Sequence, residues 1–250
     1  MKKLFLLLIM LATVSAYSQT ANLSTVNTVR PKKGQKMAFE ASWKTHVAKF
    51  HKADNKLTVY EILSGTHTGS YHLVNGSRSF ADFDKERADA TVHSQDLDKT
   101  FFPLLEDKSS NETYRFMDSL SFRADVQAEK YLVTVRHIKP SLEGDYRREL
   151  ARGTKLLAKT TGKFFENLSY SVWEQLWDGS DPVVTNIRNL KDGFQSLDMD
   201  FYGPTGPSFR DEYVKAYGTA EWDKRTKLLE EAIVSNEVYI MKQRKDLSSQ

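Results

Sequence analysis

The chain has 250 residues, of which 40% are hydrophobic and 12% aromatic, enough for packed cores. Its 36 basic and 33 acidic residues give a formal net charge of +3 with no long block of one sign, which argues against a nucleic-acid partner, because such binding needs a concentrated basic face. The absence of cysteine excludes disulfides and a lipidated cysteine.

The first predicted element is a signal peptide at residues 1–18. Two lysines precede an apolar run from Leu4 to Val14, and small residues follow, which is typical of secretory signals. The run is shorter than the roughly 20 residues that a membrane span needs, so a membrane anchor is the less favoured alternative. Removing both lysines leaves 34 basic against 33 acidic residues. Cleavage is expected between Ala16 and Gln19.

Export without cysteine favours a bacterial protein that is periplasmic or secreted and does not span the membrane after cleavage. A mature chain that begins at Gln19 resembles many exported proteins of the Bacteroidetes type.

Short segments recur in the same order along the mature chain, which predicts an internal duplication. The pairs are Thr28-Val29-Arg30 with Thr134-Val135-Arg136, VYEIL at 59–63 with VWEQL at 172–176, Asn75 and Phe83 with Asn186 and Phe194, and DKTFFPLLED at 98–107 with DKRTKLLEE at 223–231. Their offsets run from 106 to about 125 residues. We therefore predict one unit at residues 19–126 and a second at residues 127–250.

Each unit is predicted to have the element order β-α-β-β-α-β, the ferredoxin-like arrangement. The first comprises a strand at 26–30, a helix with Phe39, Trp43, Val47 and Phe50 on one stripe, strands at 57–63 and 70–77, a helical region from about 96, and a strand at 120–123. The second comprises a strand at 131–137, a helix with Tyr146, Leu150 and Leu157 on one side, strands at 170–177 and 183–188, a helix from 209 to about 233, and a strand at 237–244.

This element order resembles the dimeric α+β barrel superfamily, which includes NIPSNAP-like proteins, antibiotic-biosynthesis monooxygenases and chlorite-dismutase relatives. The resemblance implies an α+β fold in which two tandem ferredoxin-like units pack sheet to sheet as a barrel, and a homodimer is a further expectation. It also implies a range of roles, from cofactor-free oxygenases to haem enzymes and isomerases, so the fold alone says little about function.

The segment SGTHTGSYHLV at 64–74 places His67 in a predicted turn and His72 on the strand that follows. The second unit has no histidine at the matching place, and a spacing of five on a hairpin is not a recognised metal-ligand spacing. We therefore favour a structural hairpin, with ligand binding or proton transfer by these histidines as the alternative. No metal site is predicted.

Glu61 and Glu174 occupy the same place in the repeated pattern Val-aromatic-Glu-x-Leu. Because side chains alternate along a strand, each glutamate shares a face with apolar neighbours, and Tyr60 and Trp173 share the opposite face. A glutamate inside the barrel would have a raised pKa suited to proton transfer. The favoured alternative is a salt-bridged glutamate.

Tyr60 and Trp173 are candidates to line a pocket for a small apolar ligand, although aromatic strands more often form core or interface. The sequence carries no phosphate loop, nucleophile elbow or cofactor signature, so no cofactor is predicted. The favoured hypothesis is an envelope protein that binds a small molecule or a protein partner without catalysis. The alternative is a small-molecule oxidative enzyme, either cofactor-free or haem-dependent.

Overall fold

The computed structural model describes residues 21–52, 55–107, 109–177, 179, 181–198 and 208–250; the predicted signal peptide lies outside these ranges. The strands are β1 Leu23–Val29, β2 Thr58–Ile62, β3 Tyr71–Arg78, β4 Ser110–Phe116, β5 Lys130–Ile138, β6 Tyr170–Leu176, β7 Val183–Leu190 and β8 Ile233–Gln243. The helices are α1 Lys36–Phe50, α2 Ala90–Thr100, α3 Glu143–Leu157, α4 Lys163–Asn167, α5 Phe209–Tyr217 and α6 Thr219–Ala232.

The eight strands close into one antiparallel barrel in the order β1-β3-β2-β8-β5-β7-β6-β4, with β4 returning to β1. Two pairings join the halves of the chain, β2 with β8 and β4 with β6. Closure satisfies the backbone groups that an open sheet edge would expose. The predicted α+β class and barrel are confirmed. Within the described ranges, no helix combines the length and apolarity needed to cross a membrane.

Helices pack on the outside of the barrel, and strand alternation divides each strand between two environments. Along β2, Val59 is buried against Phe39 and Trp43 of α1, whereas Tyr60 points into the barrel. Along β6, Val172 packs with Tyr146 of α3. The helix stripe predicted at Phe39, Trp43, Val47 and Phe50 is confirmed, since all four side chains are buried on α1.

Three elements differ from the sequence prediction. The strand expected at 120–123 is wrong: β4 occupies Ser110–Phe116, and a short 3-10 helix covers Asp118–Leu120. The sequence of β4, SNETYRF, shows no alternation of apolar and polar residues, because only Thr113 is buried. Hydrophobic periodicity therefore does not predict this strand. Helix α2 begins at Ala90 rather than near 96.

The long second-half helix is also divided. Gly218 has a φ of +91° and separates α5 from α6, and the chain becomes strand directly after Ala232, so β8 starts four residues earlier than expected. A left-handed backbone is readily adopted by glycine, which ends the first helix there.

The residues after β8 close the apolar core beneath α1. Leu247 is fully buried in that core, and its carbonyl accepts a hydrogen bond from Trp43 Nε1 at 3.2 Å. The hydroxyls of Ser248 and Ser249 accept hydrogen bonds at 2.9 Å from the backbone N–H groups of Val59 and Leu57. The end of the chain therefore completes the packing of the first half.

Gly65, in the turn between β2 and β3, provides a test of this packing. Its φ is +85°, and an added Cβ would lie 3.0 Å from Tyr239 Cβ and 3.2 Å from the Val238 carbonyl oxygen. We expect Gly65→Ala to lower the free energy of unfolding by about 2 kcal/mol or more, from left-handed strain plus overpacking. Gly69→Ala is the matched control, because Gly69 has a φ of +86° and nothing within 4 Å. It should lose only about 1 kcal/mol. Equal losses in urea denaturation would contradict the contact.

Candidate functional site

The barrel encloses a cavity of about 490 Å³. Its wall is mixed: Val26, Val133, Val135 and Ile187 come from three strands of both halves, and polar side chains such as Gln175 lie between such apolar residues. A volume of this size suits a small organic ligand that offers both apolar surface and polar atoms.

Four of the sequence-predicted candidates line this cavity: Tyr60, His67, His72 and Trp173. Tyr60 and Trp173 lie on β2 and β6 and face away from Glu61 and Glu174, as strand alternation predicts. His67 lies in the turn with a side chain about half exposed, and its Nε2 is 3.8 Å from Glu237 Oε1. His72 is enclosed within the wall, on β3.

His72 is the centre of a hydrogen-bonded chain. Its Nδ1 lies 2.9 Å from Thr28 Oγ1, and its Nε2 lies 3.0 Å from the hydroxyl of Tyr239. Burial and the neighbouring His67 lower the pKa of His72 to about 4, so the ring is neutral at pH 7. Burial also raises the pKa of Tyr239, which keeps the phenol protonated. The three side chains, called here the relay, connect two neutral groups that can pass a proton between them.

The wall carries other polar groups, among them Gln127, Gln175 and Asn189, but no lysine or arginine among the described residues. Glu112 accepts a hydrogen bond from the hydroxyl of Tyr114 at 2.7 Å. Thr185 Oγ1 and Glu237 Oε1 are buried without a hydrogen-bond partner among the described residues. Unpaired buried polar atoms cost free energy, so both mark places where a polar atom of a ligand fits.

Glu61 and Glu174 do not line the cavity. They lie on the outer face of the barrel, as members of ion pairs beneath the helices. Glu61 binds Lys36 at 2.5 Å and Arg244 at 2.8 Å. Glu174 binds Arg147 at 2.5 Å. The favoured reading of salt-bridged glutamates is confirmed, and a ligand-binding role for either inside the barrel is not supported.

A second group of titratable side chains lies outside the cavity, between α1 and α2. It comprises His46, His51 and His93, whose ligand atoms all lie within 4.8 Å of one another. Burial lowers the pKa of all three rings, to about 4 for His51 and His93, so each is neutral at pH 7. The sequence spacing of His93 from the other two histidines does not predict this cluster. The three rings meet because α2 packs against α1.

No protein-family model matches the chain, and no curated protein matches its sequence. Solved structures do match. A protein provisionally named a monooxygenase, from Lactobacillus acidophilus NCFM, aligns with a TM-score of 0.55 at 9% identity over 91% of this chain and 95% of that one. Another with that provisional name, from Fusobacterium nucleatum, aligns at 0.53 and 7% identity over 89% and 92%.

An anthrone oxidase-like protein aligns with a TM-score of 0.51 at 12% identity, over 92% of this chain and 95% of that one. The barrel fold is shared with these proteins. At such low identity the likeness establishes the fold alone.

The comparison corrects the functional expectation. A non-catalytic binding protein was favoured from the sequence, but structures that share this barrel over about nine-tenths of both chains carry names of oxidative enzymes. The oxidative alternative is the better supported hypothesis.

Haem, which the superfamily resemblance implies for some members, does not fit this cavity. Both nitrogens of His72 are hydrogen-bonded, so that ring has no free nitrogen for iron. His67 and His137 also line the cavity, so the charges of the wall carry this argument. The haem carboxylates would also meet Glu112 and Glu237 without a lysine or arginine among the described lining residues. We therefore derive no chemical step through haem.

The lowered pKa of His72 predicts a pH dependence of stability. Between its folded pKa of about 4 and an unfolded value of about 6.5, the unfolded chain binds a proton that the folded ring does not. The free energy of unfolding should therefore fall as pH drops below about 6.5, by about 2 kcal/mol from this ring at pH 5. Urea denaturation at pH 7 and pH 5 measures the loss. A His72→Gln variant should lose less, and an identical loss in both proteins would refute the assignment.

Proposed function

We propose that the protein is a cofactor-free oxygenase that oxidises a small apolar molecule inside the barrel. The relay of Thr28, His72 and Tyr239 is the observation that carries this proposal. It places a neutral imidazole, hydrogen-bonded at both nitrogens, in the wall of a cavity of about 490 Å³. Such a group can accept a proton through the hydroxyl that it binds.

The cavity favours a neutral aromatic substrate with an acidic C–H bond. Its wall carries the rings of Tyr60, Tyr131 and Trp173, which suit a flat ring system. Glu112 and Glu237 in the cavity wall disfavour a substrate that binds as an anion. Thr185 Oγ1 is an unpaired hydroxyl that can donate to a substrate oxygen. Anthrone, a fused-ring ketone with an activated methylene, is a probe of this class.

Proton removal is the step that the relay would perform. The methylene proton passes to the Tyr239 hydroxyl oxygen as the phenol proton passes to Nε2 of His72. The developing substrate anion raises the affinity of the neighbouring imidazole for that proton. The carbanion is oxidised by O₂: a C–O bond forms, the O–O bond breaks, and the methylene becomes a carbonyl. One oxygen atom stays on the product, and the other leaves as water with the two hydrogens taken from carbon.

Oxygen uptake with anthrone tests the proposal. Chelator-treated protein, with no added cofactor, should consume one O₂ for each anthraquinone formed and should exceed the uncatalysed background. Uptake at the background rate would contradict the proposed function, and a requirement for added haem would contradict its cofactor-free form.

We also propose that the two halves are tandem ferredoxin-like units. Each half has its strands in the order fourth-first-third-second, β4-β1-β3-β2 and β8-β5-β7-β6, which supports this reading. Superposition of the two halves should bring Tyr60 onto Trp173, both of which line the cavity, and failure on that pair would exclude a duplication. The repeat pair Thr28 and Thr134 does not match, because Thr28 faces the cavity whereas Val133 and Val135 do so on β5.

Export to the periplasm or beyond, by cleavage near Gln19, remains part of the proposal. The N-terminal charge and apolar pattern supports it. The intact mass of protein from native cells is the measurement, and retention of residues 1–16 would exclude cleavage.

Self-association as a homodimer is proposed on the superfamily resemblance, and sedimentation of the purified chain would decide it.

A further inference from the structure

Three histidines converge on one point between α1 and α2. His46 Nε2 lies 3.1 Å from His93 Nε2, which in turn lies 3.4 Å from His51 Nε2. Ligand atoms around a tetrahedral ion at 2.0–2.1 Å are about 3.3 Å apart, so these two separations match those of imidazoles on a single metal. All three ligand atoms lie within 4.8 Å of one another, so binding would draw His46 and His51 together around His93.

The Nδ1 atoms of His46 and His51, which point away from the cluster, already have hydrogen-bond partners. His46 Nδ1 lies 2.8 Å from Asp96 Oδ2, and His51 Nδ1 lies 3.1 Å from the carbonyl oxygen of Asn55. A carboxylate or carbonyl at Nδ1 fixes the proton on that atom and leaves the lone pair of Nε2 directed inward. Metal-binding histidines are oriented in this way.

We propose that His46, His51 and His93 bind one divalent transition-metal ion of the Zn²⁺ class through their Nε2 atoms. Imidazole is a preferred ligand of such ions. Three protein ligands leave a coordination position open, and the partial exposure of His93 gives water access to it. None of the three lines the barrel cavity, so this site is separate from the proposed oxygenase site.

The surrounding charges tolerate a cation. Asp96 supplies a carboxylate behind His46, and Lys49 binds the other oxygen of that carboxylate at 3.2 Å. Arg87 is the nearby basic group, and its guanidinium is paired with Asp89 at 2.9 Å. The competing explanation is a hydrogen-bonded trio in which His93 Nε2–H is shared between the other two rings.

Titration calorimetry with ZnCl₂ distinguishes the two explanations. Chelator-treated protein should bind one Zn²⁺ per chain, and Co²⁺ in its place should give the visible absorption of a low-symmetry nitrogen site. His93→Gln should abolish binding or weaken it at least 100-fold. Asp96→Asn, which removes the charge behind His46 and the ion pair with Lys49 but keeps all three histidines, should weaken binding about 10- to 100-fold. His67→Gln is the matched control, since its exposed ring lies outside the cluster.

A thermal-melting readout guards against misfolded variants. Zn²⁺ should raise the melting temperature of the unaltered chain and of His67→Gln but leave that of His93→Gln unchanged, because a ligand stabilises only the state that binds it. No Zn²⁺ binding to the unaltered chain, or equal binding by His93→Gln, would overturn the proposal. Neither result bears on oxygen uptake in the barrel, which uses none of these residues.

Discussion

Tyr239→Phe is expected to lower the rate of oxygen uptake with anthrone by about 100-fold or more. The substitution removes the hydroxyl that lies 3.0 Å from His72 Nε2 and leaves the ring that lines the cavity. A positioned acid–base group contributes about 10²- to 10⁴-fold to such a rate. His72→Gln should have an effect of similar size, because both changes interrupt the same relay. Steady-state oxygen electrode measurements give the rate constants.

Tyr131→Phe is the matched control for this experiment. Tyr131 also lines the cavity, but its hydroxyl donates to the carbonyl of Ala128 at 2.6 Å and takes no part in the relay. Its activity should stay within a few-fold of the unaltered protein. Equal rates for Tyr239→Phe and Tyr131→Phe would show that the relay does not carry the reaction.

Arg244→Met is expected to lower the free energy of unfolding by about 3–5 kcal/mol. The Arg244 guanidinium is largely buried and binds Glu40 at 2.7 Å, Glu61 at 2.8 Å and Asp246 at 2.9 Å. Removing it leaves Glu40 and Glu61, both mostly buried, short of a cation, and an uncompensated buried charge is strongly destabilising. The same guanidinium is the main reason that the pKa of Glu40 is lowered. Urea denaturation at pH 7 measures the loss.

Arg148→Met is the control for the ion-pair argument. Arg148 pairs with Asp145 on α3, but both side chains are more than half exposed. Exposed pairs contribute about 0.5 kcal/mol or less, so this variant should be nearly as stable as the unaltered chain. A loss below about 1 kcal/mol for Arg244→Met would show that the buried ion pairs of Arg244 contribute less to the free energy of unfolding than their geometry predicts.

Much of the barrel could be predicted from the sequence where hydrophobic period and packing agree. The α1 stripe and the opposite faces of Glu61 and Tyr60 follow from helical and strand periodicity alone. Strand β4 could not be recognised, because only Thr113 of its side chains is buried. An alternation of apolar and polar residues is visible only where one face meets an apolar core.

The site was only partly accessible to the same reasoning. His72 stood out as a histidine in a strand, but its partners come from β1 and β8, 44 and 167 residues away. In the sequence, Thr28 stands in a repeated tripeptide and Tyr239 in the predicted last strand. Neither position indicates a contact with His72. The histidine cluster depends on the packing of α2 against α1, and that contact cannot be predicted from the spacing of the histidines.

The placement of residues 245–249 has a consequence for how the chain folds. Leu247 fills the core beneath α1, and the following serines bind the backbone of the segment that leads into and begins β2. The first half therefore cannot complete its core until residues 245–249 have left the ribosome. These contacts span about 190 to 204 residues in sequence, and closing such long loops costs entropy before it is rewarded. We infer that synthesis of the final strand, rather than of the first half, triggers cooperative folding of the whole barrel.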